Sequence, residues 1–274
     1  MIAEAIDSVV RQDFQHELME LIIVDGCSYD KTIPIIRERL SRTDISYKIF
    51  SENAGLGYAR QIVVDNASGT YIVWVDGDII LSQNYISQQV DFMEHHPLSG
   101  IAQGTHGLLN DDNQVAILEN IGYVVNSIIH HGKETLGLIG TQGSIYRAEA
   151  MKTTRFDSDI KGAGEDEDVA YQIKKIGWKL YITDAVFYHR QKRTWKALWN
   201  EHFWYGYGLH FIQHKYRDLF SEKPTRWVIL SSLAYKLTHR KVVFLLPLNF
   251  IFKKTALVFG FTMAHIDGYG HKAS

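Results

Sequence analysis

The chain has one cysteine, four prolines and no low-complexity run in 274 residues. A single thiol, Cys27, excludes an internal disulfide and leans towards a reducing compartment. Few prolines and a hydrophobic content of 46% argue against long disorder and leave material for a real core. An uninterrupted bilayer-length apolar run is also missing. Residues 242–252 and 255–264 are apolar but are split by Lys253-Lys254, whereas a spanning helix needs about 20 apolar residues. No secretory leader is visible, because Met1-Ile-Ala-Glu-Ala-Ile-Asp7 is an amphipathic helical pattern carrying acids.

What is present is unevenly charged. Residues 1–186 carry 15 Lys+Arg against 27 Asp+Glu, and residues 187–254 carry 13 against 3. An acidic front and a basic, aromatic-rich back suggest two jobs.

Helix and strand signals alternate through the first two thirds. Ile2, Ile6, Val9 and Val10 keep a helical spacing. Leu21-Ile-Ile-Val24 reads as a strand stopping at Asp25-Gly26, and Asp30 can cap a helix with Ile33, Ile36 and Leu40 on one face. A strand at 47–50, a helix near 57–67, a strand at 70–75 and a helix through Ile86, Val90 and Met93 follow. Near the end of this part, acids open a helix at 165–168, lysines close it, and residues 179–188 read as strand. The alternation predicts an α/β fold with a mostly parallel, doubly wound sheet. One element is out of place: the first helix has no strand before it, although a βαβ unit needs both strands.

Asp76-Gly77-Asp78 is the strongest chemical signal. It ends the apolar run 70–75, so its two carboxylates project into the crevice where open α/β sheets bind ligands. Hard oxygen ligands suit Mg²⁺ or Mn²⁺, whose remaining ligands are commonly substrate phosphates. A plain polar turn is the alternative.

Four segments carry a resemblance. They are Val24-Asp-Gly-Cys-Ser-Tyr-Asp-Lys-Thr32; Asn53-Ala-Gly-Leu-Gly-Tyr-Ala-Arg60 with the stretch 68–78; Gly140-Thr-Gln-Gly-Ser-Ile-Tyr-Arg147; and Gly164-Glu-Asp-Glu-Asp-Val169 with Gly177-Trp-Lys-Leu180. In this order they resemble the motifs of family 2 glycosyltransferases of the GT-A type, over roughly residues 2–195. The resemblance implies a nucleotide-sugar donor, UDP-linked by preference, and Mn²⁺ or Mg²⁺ as cofactor. It implies that Asp78 binds the ion, that Asp76 lies near the ribose or the ion, and that Asp25 reads the base edge. Asn53, Gly55 and Arg60 fall in its donor loop, where Arg60 could meet phosphate. Asp25 as a turn residue and Arg60 as a surface residue are the rival readings.

The family pattern points to Asp166 as the base that takes the proton of the acceptor hydroxyl, with inversion at the anomeric carbon. Neighbouring acids at 165–168 would raise one another's pKa, although helix-terminus electrostatics also accounts for acids there. His189 matches a third metal ligand in some members, and a structural histidine is the alternative. The resemblance normally begins with a strand that nothing here matches. An inactive scaffolding relative or a truncated fragment and, outside this family, a sugar-nucleotide pyrophosphorylase are the competing readings.

The resemblance divides the chain into a transferase domain, 1–193, and a helical segment, 194–274. Trp195, Trp199, Trp204, Tyr205, Tyr207, Tyr216, Trp227 and Tyr235 interleave with Lys and Arg in that segment. Basic, aromatic, amphipathic helices of this kind suit a membrane interface. The expected setting is the cytoplasmic face of a membrane, with a glycan or lipid-linked acceptor. Nucleic acid is not an expected partner, since no motif for it is present.

Overall fold

A computed structural model of the chain describes residues 1–130, 132–135, 137–216 and 227–270. Residues 217–226 and 271–274 of the expected helical segment, and the side chain of Trp227, lie outside the described part. The elements run α1 (Ile2–Val10), β1 (Glu20–Asp25), α2 (Thr32–Leu40), β2 (Ser46–Ser51), α3 (Leu56–Asn66), β3 (Tyr71–Trp74), β4 (Ile79–Leu81) and α4 (Tyr85–His95). They continue with β5 (Ser99–His106), α5 (Gln114–His130), β6 (Lys133–Glu134), β7 (Ser144–Arg147), α6 (Ala148–Met151), α7 (Glu165–Lys175) and β8 (Lys179–His189). Helices α8 (Trp195–Lys215), α9 (Trp227–Thr238) and α10 (Leu246–Ile266) complete the chain.

Two compact units emerge. The first comprises residues 1–107, 130–159 and 165–190. It holds a parallel β1–β2 pair and a six-stranded sheet ordered β3-β7-β5-β8-β4, with β6 against β8. The α/β class and flanking helices agree with the sequence. Strand direction is a correction: among the described residues β3–β7, β5–β7, β4–β8 and β6–β8 are antiparallel, and only β1–β2 and β5–β8 are parallel. A short apolar run marks a strand but not its direction, and β7, which enters between β3 and β5, was not recognisable as a strand. Trp74 anchors this core, edge-on to Tyr146 and Phe156 with ring centroids 5.9 and 5.6 Å away. Ile6 of α1 packs with Ile36 and Leu40 of α2.

The second unit comprises residues 108–129, 160–164 and 191–274. Helices α8 and α10 cross so closely that a Cβ on Gly206 would collide with the Leu257 carbonyl, and one on Gly260 with that of Phe203. Glu119 of α5 accepts hydrogen bonds from Asn249 Nδ2 at 2.6 Å and Lys253 Nζ at 3.1 Å. Arg193 is clamped by Asp111 and Asp112 at 3.0 and 2.9 Å. Most of the two apolar runs split by Lys253-Lys254 falls on one helix, α10, preceded by the 3-10 turn Lys241–Leu245. Lysine is a good helix former, so the helix runs through Lys253, whose ammonium lies 3.0 Å from a Glu119 carboxylate oxygen. By length and composition alone, Lys241–Ile266 could cross a membrane.

Candidate active site

The site assembles at the ends of β3, β4, β7 and β8 and the start of α7, all in the first unit. Pairing sets its geometry. Trp74 is opposite Ser144 in the β3–β7 ladder, so the 76–78 turn and the 141–143 loop leave the sheet side by side. Ile79 is opposite His189 in the β4–β8 ladder, and Arg190 N–H donates to the Asp78 carbonyl at 2.9 Å. His189 Nε2 therefore lies 3.3 Å from Asp78 Oδ2.

Arg60 projects from α3 into the acids. Its guanidinium ion-pairs with Glu165 and stands 3.7 Å from Asp166 and 3.9 Å from Asp76. Glu165 is 2% exposed, Asp166 22% and Asp76 42%. One cation thus serves three carboxylates that open progressively to solvent. Burial raises the Glu165 carboxyl above its ordinary value, Asp166 adds to the rise and Arg60 opposes it. Lost hydration also raises Asp76; Arg60 opposes this, while Asp78 and Asp166 add to it. Water reaching Asp76 screens much of that effect.

The 140–142 loop ties both halves together. Thr141 N–H donates to Asp166 Oδ2 at 3.1 Å. A Cβ on Gly140 would stand 2.5 Å from that same oxygen, so only glycine lets the loop approach the carboxylate. The next residue, Gln142, places its amide nitrogen 2.6 Å from His189 Nδ1 and its amide oxygen 3.3 Å from His106 Nε2. Burial first and His189 second depress His106 to about 4, opposed by Gln142, so its imidazole is neutral near pH 7.

Five of the residues singled out from the sequence, Arg60, Asp76, Asp78, Asp166 and His189, share this network. Asp25, Asn53 and Gly55 stand at the C-terminal ends of β1 and β2. Asp25 Oδ2 accepts from Ser28 N–H at 2.8 Å and its carbonyl accepts from Glu52 N–H at 3.0 Å, which is the geometry of a turn aspartate. Asn53 is exposed, and Gly55, at φ 128°, enters α3 through a conformation that favours glycine. Reading the sequence missed Gln142, His106 and the clamp role of Glu165. Residues 140–147 were recognised as a motif, but nothing in their spacing separates Gln142 from its neighbours.

Asp78 and His189 are the residues that could hold a divalent ion. Asp78 and His189 offer a carboxylate oxygen and an imidazole nitrogen side by side, with Asp76 close in charge. Among the described residues no group of three or more metal-binding side chains is preassembled. Few protein ligands and an open side suit an ion completed by substrate phosphates.

Comparison with known proteins agrees with the fold. The chain is 23% identical over 257 residues to the glycosyltransferase GlyA of Streptococcus pneumoniae, covering 89% of this chain and 34% of that protein. It is 22% identical over 228 residues to the poly-β-1,6-N-acetyl-D-glucosamine synthase of Staphylococcus aureus, covering 81% of this chain and 54% of the synthase. It therefore spans between a third and about half of these relatives. Among solved structures, a mannosyltransferase from Pyrobaculum calidifontis in complex with GDP-Man and Mn²⁺ aligns at TM-score 0.60 and 17% identity, covering 99% of this chain and 79% of that one. TarS of Staphylococcus aureus in complex with UDP-GlcNAc aligns at 0.51 and 16%, covering 98% and 88%. The profile of "Glycosyl transferase family 2" matches residues 1–159, more than half of the chain, and the chain belongs to that family.

Proposed function

We propose that this chain transfers a sugar, with inversion, from a nucleoside-diphosphate donor to a hydroxyl of a glycan or lipid-linked acceptor. The observation that carries the proposal is the continuity from Asp78 and His189, through Gln142 and Thr141, to Asp166. One loop thus joins a polar end, Asp78 with His189, to a partly exposed carboxylate.

In this reading Asp78 and His189 hold Mn²⁺ or Mg²⁺, with Asp76 beside them. Bound there, the ion would neutralise the diphosphate as it leaves. Asp166 accepts the proton of the acceptor hydroxyl while that oxygen bonds to the anomeric carbon and the carbon–diphosphate bond breaks. Thr141 N–H and Gly140 hold the carboxylate in place. Arg60 limits the repulsion among Glu165, Asp166 and Asp76 so that they can share the recess. Asp25, Asn53 and Gly55 are assigned to the nucleoside side. UDP is the favoured nucleotide, because the TarS structure contains UDP-GlcNAc and the synthase is named for a GlcNAc polymer.

Membrane association belongs to the same reading. Leu248, Ile251, Val258, Phe259, Met263 and Ile266 are exposed on α10 and fall on one helical face.

The test is release of UDP or GDP from a panel of nucleotide sugars with Mn²⁺. Turnover that disappears in Asp78→Ala and Asp166→Asn is the expected result. Donor binding without turnover by the native chain, across the panel and with acceptors present, would contradict it. For the membrane part, Ile251→Asp with Phe259→Asp should abolish flotation with anionic liposomes, and unchanged flotation would rule it out.

A further inference from the structure

A row of hydrogen bonds crosses the recess in one direction. Gln142, in the loop ahead of β7, stands between His189 on β8 and His106 on β5. Its amide nitrogen lies 2.6 Å from His189 Nδ1 and 3.3 Å from His189 Nε2. An amide N–H₂ can only donate, so Nδ1 at the shorter contact accepts. The proton of that neutral ring then sits on Nε2, which donates towards Asp78 Oδ2 at 3.3 Å. The amide oxygen can only accept, so His106 Nε2, 3.3 Å away, carries the proton of its own ring. Donation therefore runs from His106 to Gln142 to His189 to Asp78. A ring nitrogen that bears a proton has no lone pair for a cation, so this order opposes an ion held between Asp78 and His189.

We propose that Gln142 is a positioning residue that works by turning its amide over: its oxygen then accepts from His189 Nδ1–H, its N–H₂ donates to His106 Nε2, and His189 Nε2 presents a lone pair beside Asp78. Asp78 and His189 as the residues that hold the ion belong to the transferase reading, on which this reversal rests. Each ring moves one proton from Nε2 to Nδ1 by exchange with water, so no charge is created. The turn needs little space, because half a rotation about the last torsion of Gln142 only exchanges its oxygen and nitrogen. The loop backbone is held meanwhile. Gln103 Nε2 donates to the Gln142 carbonyl at 2.8 Å, and the Gly143 carbonyl accepts from Gly104 N–H at 2.9 Å and from the Tyr85 hydroxyl at 2.5 Å. His106 suits the part of far partner. Burial first and His189 second depress it to about 4, so near pH 7 its neutral ring can change from donor to acceptor, which an imidazolium cannot. A histidine that holds an ion ordinarily gives its other N–H to an acceptor, and the turned amide supplies one.

The experiment reads the histidine tautomers of the native chain, labelled with ¹⁵N in histidine, by nuclear magnetic resonance. The two rings are assigned with His106→Gln and His189→Ala. Zn²⁺ is the probe, being diamagnetic and well suited to imidazole nitrogen. The expected result is Nε2–H on both rings without the ion and Nδ1–H on both with it. Gln142→Glu, whose carboxylate only accepts, should hold His189 as Nδ1–H before any ion is added and tighten Zn²⁺ binding by at least about tenfold. A His189 that changes with Zn²⁺ while His106 keeps Nε2–H overturns the proposal and leaves the transferase reading standing. So does a His189 already in the Nδ1–H form without the ion. A His189 untouched by Zn²⁺ overturns the proposal together with the ion pair assigned in that reading.

Discussion

Glu165 in the first unit and Glu119 in the second are both almost wholly buried and both touch a cation, yet their environments push them in opposite directions. Burial raises the Glu165 carboxyl, Asp166 raises it further, and Arg60 only partly compensates because Asp76 and Asp166 also draw on it. Burial pulls Glu119 the same way, but His202, Lys253 and Asn249 outweigh it and hold that carboxyl below its ordinary value. A cation committed to one carboxylate makes a neutral strut. A cation shared among several leaves negative charge at a solvent-open edge, which suits a divalent ion.

The largest expected effect breaks the charged side of this comparison. Asp78→Ala and Asp166→Asn should each lower transfer by about 10²–10⁴-fold with the fold intact, measured by nucleotide release and circular dichroism. Glu119→Ala should do the reverse: it leaves Lys253 unpaired and costs about 3–5 kcal/mol of stability in urea, without touching the acids of the recess. His189→Ala should weaken Mn²⁺ binding by at least about 10-fold, read from free Mn²⁺ by electron paramagnetic resonance, since it removes the imidazole beside Asp78.

The smallest effect is a pH dependence. Glu119 has a folded value below its unfolded one, so its contribution is present above the ordinary carboxylate range and is lost as pH falls through the folded value. Glu165 is raised, so its contribution has the opposite sign: it is fully present below the ordinary carboxylate range and is lost as pH rises through the folded value. The urea midpoint of the native chain should therefore fall more steeply below about pH 4 than that of Glu119→Gln.

Much of the site was legible in the sequence because chemistry sat at element ends. Asp76 and Asp78 follow an apolar strand, and Asp166 lies in the acidic first turn of α7, signals that survive without tertiary information. His189 was placed by resemblance, but its meeting with Asp78 depends on the β4–β8 register, which no local pattern encodes. Gln142 was hidden for the same reason: its partners lie 36 and 47 residues away. The antiparallel entry of β7 was not written in four residues of Ser-Ile-Tyr-Arg. The pairing of Lys253 on α10 with Glu119, 134 residues earlier, was hidden in the same way.

Calorimetric titration of UDP and GDP into the chain, with and without Mn²⁺, tests the central claim most directly. The account predicts that a nucleoside diphosphate binds in the presence of Mn²⁺, that the heat vanishes when Mn²⁺ is withheld, and that Asp78→Ala abolishes it. Binding of equal strength without the ion, or undiminished in Asp78→Ala, would contradict a cation-held diphosphate at this recess.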